Sequence, residues 1–317
     1  MRHDLRTLIQ ALLLSLWVVV PFQTVAQQVG TSVERQPEVI LGVLEDHPGV
    51  YAGEPNFWRV RVLFEKKGSE WKAFPSPDSC TDLPCLKALT KSYPREVNWT
   101  IAFDGRNLGQ VTTRTLPEVR GPDSVCAQQI TSAGPVPTVG KRSMANSGFY
   151  FHPAYRSLVA VSKPCFKDPE VWKPAHLSTE LVSALRQQFR KKFPKVSNCR
   201  NPYENILKPW PYQDEDLKMG KTYSSKENAS LAELHLAGWK CDGPQEDGSP
   251  FLTQWYTIAP TGESRFLGSG MWLLDAGDYD GDGKSEVLFA VGGFAKDGYR
   301  LFYQDFNKRT EFLFYHN

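Results

Sequence analysis

The chain has 317 residues, carries 37 Lys and Arg against 35 Asp and Glu for a formal net charge of +2, and is 12% aromatic. So even a balance leaves no electrostatic footprint for nucleic acid or an anionic membrane surface, and neither partner is expected. The length suits one large domain or two small ones.

Arg2 and Arg6 head an apolar run over residues 8–20, Pro21 ends it, and Thr24-Val25-Ala26 supplies small residues at the cleavage positions. This is the layout of a secretory signal peptide. The run falls short of the ~20 apolar residues that cross a hydrocarbon core. The expectation is a leader over 1–26 cleaved near Ala26, then a single β-rich domain over 27–317. The protein is then secreted or periplasmic, with no membrane span in the mature chain.

Strand signals follow. Residues 39–44 are apolar, 57–64 alternate, and Lys67-Gly68-Ser69 turns the chain into 70–74. Residues 98–103 meet Asp104-Gly105, a hairpin dipeptide, and return through 108–112. Ser178 then caps a helix over 178–193, with Leu181, Leu185, Phe189 and Phe193 on one face and Pro194 as its stop. Arg186, Arg190, Lys191 and Lys192 lie toward its C-terminal end, where positive charge suits the helix dipole. Strand patterns resume over 254–259, 266–274, 286–291, 299–303 and 311–315. Two stretches, 114–147 and 194–216, read as irregular, and disulfide stapling would account for their length.

All six cysteines, Cys80, Cys85, Cys126, Cys165, Cys199 and Cys241, fall after the leader. An even count in an exported chain points to disulfides, and the spacing lacks the Cys-x-x-Cys pair of a zinc site. Six cysteines allow 15 connectivities. Cys80 and Cys85 bracket a four-residue turn and make the one local pair. Chain order alone suggests Cys126–Cys165 and Cys199–Cys241.

A weak internal repeat is visible. Trp99-Thr-Ile-Ala-Phe-Asp-Gly105 resembles the segment from Trp255 to Gly262, and Val62-Leu-Phe64 resembles Val287-Leu-Phe289. Repeated hairpins suit a mainly β, antiparallel, β-propeller-like fold with irregular blades and one amphipathic helix. A twisted β-sandwich is the alternative.

The chemistry concentrates in residues 278–286, Asp-Tyr-Asp-Gly-Asp-Gly-Lys-Ser-Glu. Asp278, Asp280 and Asp282 take positions 1, 3 and 5 of a tight loop. Lys284 at position 7 offers its carbonyl, and Glu286 at position 9 adds a fourth carboxylate. Gly281 and Gly283 permit sharp turns. A hard ion accepting six to eight oxygens fits this set, so Ca2+ is the expected cofactor. The plain alternative is a solvated acidic turn. A full EF-hand would need Glu at position 12, which is Phe289. A phosphate-binding loop ending at Gly283-Lys284-Ser285 would need glycine at Asp278, and three Asp side chains would repel phosphate.

The loop with its following strand, Glu286-Val-Leu-Phe-Ala-Val, resembles the FG-GAP or VCBS-type calcium repeat of integrin-like β-propellers. The resemblance covers about 45 residues, from 270 to the C-terminus. It implies a structural calcium between two strands of a blade, held by Asp278, Asp280, Asp282, the Lys284 carbonyl and Glu286. This chain departs from the family in carrying one such loop, and Glu rather than Asp at position 9. The whole chain is also similar to uncharacterised exported bacterial proteins, which implies no activity.

Two functions are weighed. The first is an exported, calcium-stabilised, non-catalytic binding or structural protein with an extracytoplasmic ligand, a polysaccharide or a protein. The second is a secreted, glycosidase-like hydrolase whose carboxylate pair is assembled by folding. No His-Glu-x-x-His or Gly-x-Ser-x-Gly supports it, and His47, His152, His176, His235 and His316 are scattered. Trp58, Trp71, Trp99, Trp255 and Trp272 fall on predicted strands, where core packing is the expected role rather than a sugar platform.

Overall fold

The computed structural model describes residues 38–47, 57–116, 123–139, 156–164, 166–196, 209–237, 253–292 and 296–315. The leader expected over 1–26 lies outside them, as do Cys165, Cys199 and Cys241. The fold is mainly β, and every strand pairing among the described residues is antiparallel.

The first half contains β1 (Val39–His47), β2 (Phe57–Lys67), β3 (Glu70–Ala73), β4 (Glu96–Phe103), β5 (Arg106–Thr115), β6 (Ala127–Ile130) and β7 (Leu158–Val161). Pairing runs β1-β7-β4-β5-β6-β2, and β2 returns to β1, so six strands close a ring with β3 added outside β2. Gly42 marks the register shift in β1. A Cβ there would come 2.5 Å from the Arg61 carbonyl oxygen across the β1–β2 ladder, so only glycine permits the approach.

The second half is two meanders. β8 (Lys173–Pro174), β9 (Leu217–Ser224), β10 (Ser230–Leu236), β11 (Thr253–Ile258) and β12 (Ser264–Ser269) form a five-stranded sheet in the order β12-β11-β10-β9-β8. β13 (Met271–Gly277), β14 (Glu286–Gly292), β15 (Lys296–Tyr303) and β16 (Lys308–Tyr315) form a four-stranded sheet in chain order. The pattern over 266–274, read as one strand, is two. Gly270 at φ 60° breaks it, and the chain passes there from one sheet to the next.

Three cores stack these units. Leu185 and Phe189 of α3 (Thr179–Lys192) pack on Ala232, Leu234 and Tyr256 of the five-stranded sheet. Leu231 and Trp255 on the other face of that sheet meet Val287, Phe289 and Phe302 of the last sheet. Leu288, Ala290, Tyr299 and Leu301 point the opposite way, into the core shared with Leu41, Val62 and Trp99 of the ring. The layers therefore run helix, five strands, four strands, ring. The continuous apolar run of β14 follows from burial on both faces.

Meanders packed face to face are common to propeller blades and to β-sandwiches, the two architectures the sequence leaves open. The ring is built differently, and the matched segments of the internal repeat are hairpins: β4–β5 and β2–β3 in the first half, β11–β12 and β14–β15 in the second. The stretches read as irregular contain order of their own. β5 runs on to Thr115, and a turn of helix, α2 (Asp123–Cys126), and β6 follow within 123–130. Helix α1 (Leu83–Leu89) begins at the Asp82 cap, whose carboxylate accepts from the Cys85 amide at 2.8 Å, and Cys80 and Cys85 form a disulfide. The long helix matches its reading: Ser178 accepts from the Leu181 amide, and Phe193 ends it before Pro194. Three of its basic residues are tied down, Arg186 by the Leu217 carbonyl, Arg190 by Asp214 and the Tyr212 ring, and Lys192 by the Phe266 ring. No helix among the described residues is long and apolar enough to cross a membrane.

Candidate metal centre

The acidic loop joins β13 to β14. Gly277, the last residue of β13, pairs with Glu286, the first of β14, so the strands close the loop at its base. The Phe166 ring lies against Gly277 where a side chain would otherwise stand, a Cβ there meeting ring atoms at 1.9 and 2.3 Å. The same ring stacks on Tyr279 at 5.3 Å. On the outer side the Asp278 amide donates to the Lys167 carbonyl at 2.8 Å. Gly281 and Gly283 adopt φ of 81° and 89°, which residues with a Cβ avoid.

Within the loop each carboxylate turns inward to main-chain donors. Asp278 accepts from the Gly281 and Gly283 amides at 2.6 and 3.1 Å, Asp280 from Asp282 at 3.1 Å, Asp282 from Lys284 at 2.9 Å, and Glu286 from Tyr279 at 2.8 Å. Oxygens of Asp278, Asp280 and Glu286 lie within 4.8 Å of one another. That acidic triad can hold a metal ion. Asp282 stands outside it, and the Lys284 side chain leaves the loop to pair with Asp305 in the β15–β16 turn.

The burial of one member, Glu286, separates this triad from a surface acidic patch. Glu286 is 2% exposed. Burial pushes its carboxyl up to about 9, with the Asp280 charge adding to the shift and the Tyr279 amide opposing it. Asp278 is raised too, by burial first, with Asp280 and Asp282 adding. Carboxylates this close repel by about 3–4 kcal/mol per pair at an effective dielectric of 20, unless one keeps its proton or a cation joins them.

Two parts of the surroundings escaped sequence reasoning. Lys66 from β2 pairs with Asp280. On the far side Asp168 accepts from the amides of Glu170, Val171 and Trp172 and from the Ser285 hydroxyl at 2.7 Å, fixing the loop's last turn. Asp168-Pro169 is a turn-initiating pair, the one local signal for that segment. Lys66 has no local signal.

Other buried polar groups lie apart from the loop's carboxylates. Asp275, 2% exposed, accepts from the Asp104 amide at 2.9 Å and from Arg156 at 3.3 Å, and burial lifts it to about 7. Glu45 binds Arg59, Arg61 and the Tyr299 hydroxyl at 2.8–3.0 Å. Burial alone would raise Glu45, but Arg61 and Arg59 outweigh it and hold the carboxyl at about 2. Arg61 also donates to Cys126 Sγ at 3.2 Å. Trp71, Trp99 and Trp255 are core residues, and Trp58 and Trp272 are half-buried against the core. No protein-family model, no characterised protein and no solved structure matches this chain.

Proposed function

We propose that the chain is an exported, calcium-stabilised binding or structural protein that performs no chemistry of its own, with the ion fixing the β13–β14 connection. The observation that carries this reading is Glu286, almost wholly buried, facing Asp278 and Asp280 within 4.8 Å. An all-oxygen set in a glycine-rich loop, half-buried at Asp278 and Asp280 and buried at Glu286, suits calcium better than zinc or copper, which favour nitrogen and sulfur, or magnesium, which demands stricter geometry. The loop's resemblance to the FG-GAP or VCBS repeat points the same way. The Cys80–Cys85 disulfide supports export, since such bonds persist in oxidising compartments.

The ligand class, polysaccharide or protein, follows from the compartment alone. A tryptophan platform gains no support from Trp71, Trp99 or Trp255, which are spent on the core. The hydrolase reading gains none from Asp275 and Glu286, the two carboxyls lifted to about 7 and 9, because both are buried from any substrate. Thermal unfolding in calcium and in chelator tests the proposal. Calcium at 100-fold its dissociation constant stabilises by about 2.7 kcal/mol, and Asp278→Asn should lose that gain. An unaltered protein that melts at the same temperature in both conditions leaves only an acidic turn.

A further inference from the structure

We propose that Lys66 is a tethered counter-cation of the acidic loop, which a divalent ion must displace from Asp280, so that this one lysine sets the ion affinity of the site. The inference rests on the calcium reading and adds to it a competitor carried by the chain itself.

Lys66 reaches the loop from the ring, near the end of β2. Its side chain is 8% exposed and that of Asp280 4%, so the pair is shielded from water. Asp280 accepts from Lys66 through Oδ2 and from the Asp282 amide through Oδ1, which engages both of its oxygens. Asp280 is also one of the three carboxylates whose oxygens converge. The ammonium therefore stands in for the cation that the triad attracts. A second ammonium lies nearby: a Cβ at Gly281 would come within 2.8 Å of Lys163 Nζ.

A divalent ion on the triad would face the Lys66 charge at short range in a poorly screened site, where like charges interact strongly. Displacement has somewhere to go. The Trp71 and Tyr303 rings flank the ammonium at 5.5 and 5.7 Å, and aromatic faces hold a cation without a carboxylate. The consequence is a site about tenfold or more weaker than the same carboxylates would make without the lysine.

Calorimetric titration with calcium chloride, on the purified protein and on Lys66→Met, tests this. Methionine keeps the apolar stem and drops the charge, so the variant should bind about tenfold tighter or more. Equal or weaker binding by the variant, when the unaltered protein binds, overturns the competition and leaves the calcium reading standing. Binding by the variant alone supports the competition and overturns the calcium reading for the native chain. Binding by neither overturns both. Lys66→Met can unfold in chelator, so a second measurement uses the unaltered protein. Amine acetylation mapped by mass spectrometry should mark Lys66 several-fold more in calcium than in chelator, and equal marking at calcium saturation overturns the displacement.

Discussion

Lys66 in β2 and Asp280 in the β13–β14 loop form an ion pair between residues 214 apart in sequence, joining the ring to the last sheet through a contact almost closed to water. The two charges offset each other's burial, and the Trp71 and Tyr303 rings flank the ammonium. Removing one leaves the burial of the other compensated only in part.

Asp280→Asn in chelator should therefore destabilise by about 3 kcal/mol, the scale for breaking a buried pair from one side. The double variant Lys66→Met/Asp280→Asn should recover most of that loss, since no buried charge is left. Urea midpoints of the three proteins give the comparison. A double variant no better than the single would mean the cost lies in packing around Trp71 and Tyr303 instead.

Glu286→Gln separates the ion from the fold. In the ion-free protein the buried carboxyl keeps its proton at pH 7, because its folded value of about 9 is far above its ordinary 4.5. The unfolded chain ionises it, so holding the proton costs stability at every pH above 4.5. Glutamine removes that cost and still accepts from the Tyr279 amide. The variant should be more stable than the unaltered protein in chelator, by on the order of 1–3 kcal/mol. It should also lose the response to calcium. Melting curves in both conditions check the two halves separately.

Much of this arrangement is legible in residues 270–317, and the reason is local. Asp-x-Asp-x-Asp with interleaved glycine, followed by Val287-Leu288-Phe289-Ala290, writes the loop and its strand within one short window. The Ser178 cap and the fourfold spacing of Leu181, Leu185 and Phe189 write the helix in the same way. What closes the ring is not local. Leu158–Val161 is four residues long, and it completes the ring only by pairing with both β1 and β4. β9 alternates poorly, since Lys218, Gly220 and Lys221 leave few apolar residues to read, and β10 shifts register between Ala232 and Leu234. Lys66 and Asp168, the loop's partners, arrive from strands and turns far off in sequence. No spacing rule reaches that distance.

Gly277→Ala tests whether the Phe166 contact matters to the loop. The added methyl would land 1.9 Å from Cζ of a ring that is itself buried and stacked on Tyr279. The ring cannot swing out without losing that stack, so the overpacking should cost about 1–3 kcal/mol. Calcium stabilisation should shrink as well, because Tyr279 anchors the stretch between Asp278 and Asp280. A variant with unchanged melting temperature and unchanged calcium response would show that the ring moves freely.

Asp275→Asn should stabilise the protein at alkaline pH. The Asp275 carboxyl titrates at about 7 when folded and 3.8 otherwise, so its cost is full above pH 7 and is relieved as pH falls from 7 toward 3.8. Asparagine still accepts from the Asp104 amide, and Arg156 keeps its pair with Asp104 at 2.8 Å. The gain at pH 8 should be on the order of 3–4 kcal/mol and should vanish near pH 4. Equal melting shifts at pH 8 and pH 4 would mean that Asp275 does not change protonation in between.

Glu45 works with the opposite sign. Its folded value of about 2 lies below the ordinary 4.5 because Arg61 and Arg59 overcome the effect of burial. The stability it contributes is fully present above pH 4.5 and is lost as pH falls from 4.5 to 2. The difference between 4.5 and about 2 corresponds to about 3 kcal/mol. Glu45→Gln should therefore cost that much at pH 7, where Arg59 and Arg61 are left buried beside a neutral amide. The gap between variant and unaltered protein should close across the acid window, as protonation of Glu45 does the same to the native site. Urea unfolding at pH 7, 4.5 and 3 measures it. A gap that stays constant to pH 3 would place the Glu45 contribution in hydrogen bonding, including that of the Tyr299 hydroxyl, rather than in its charge.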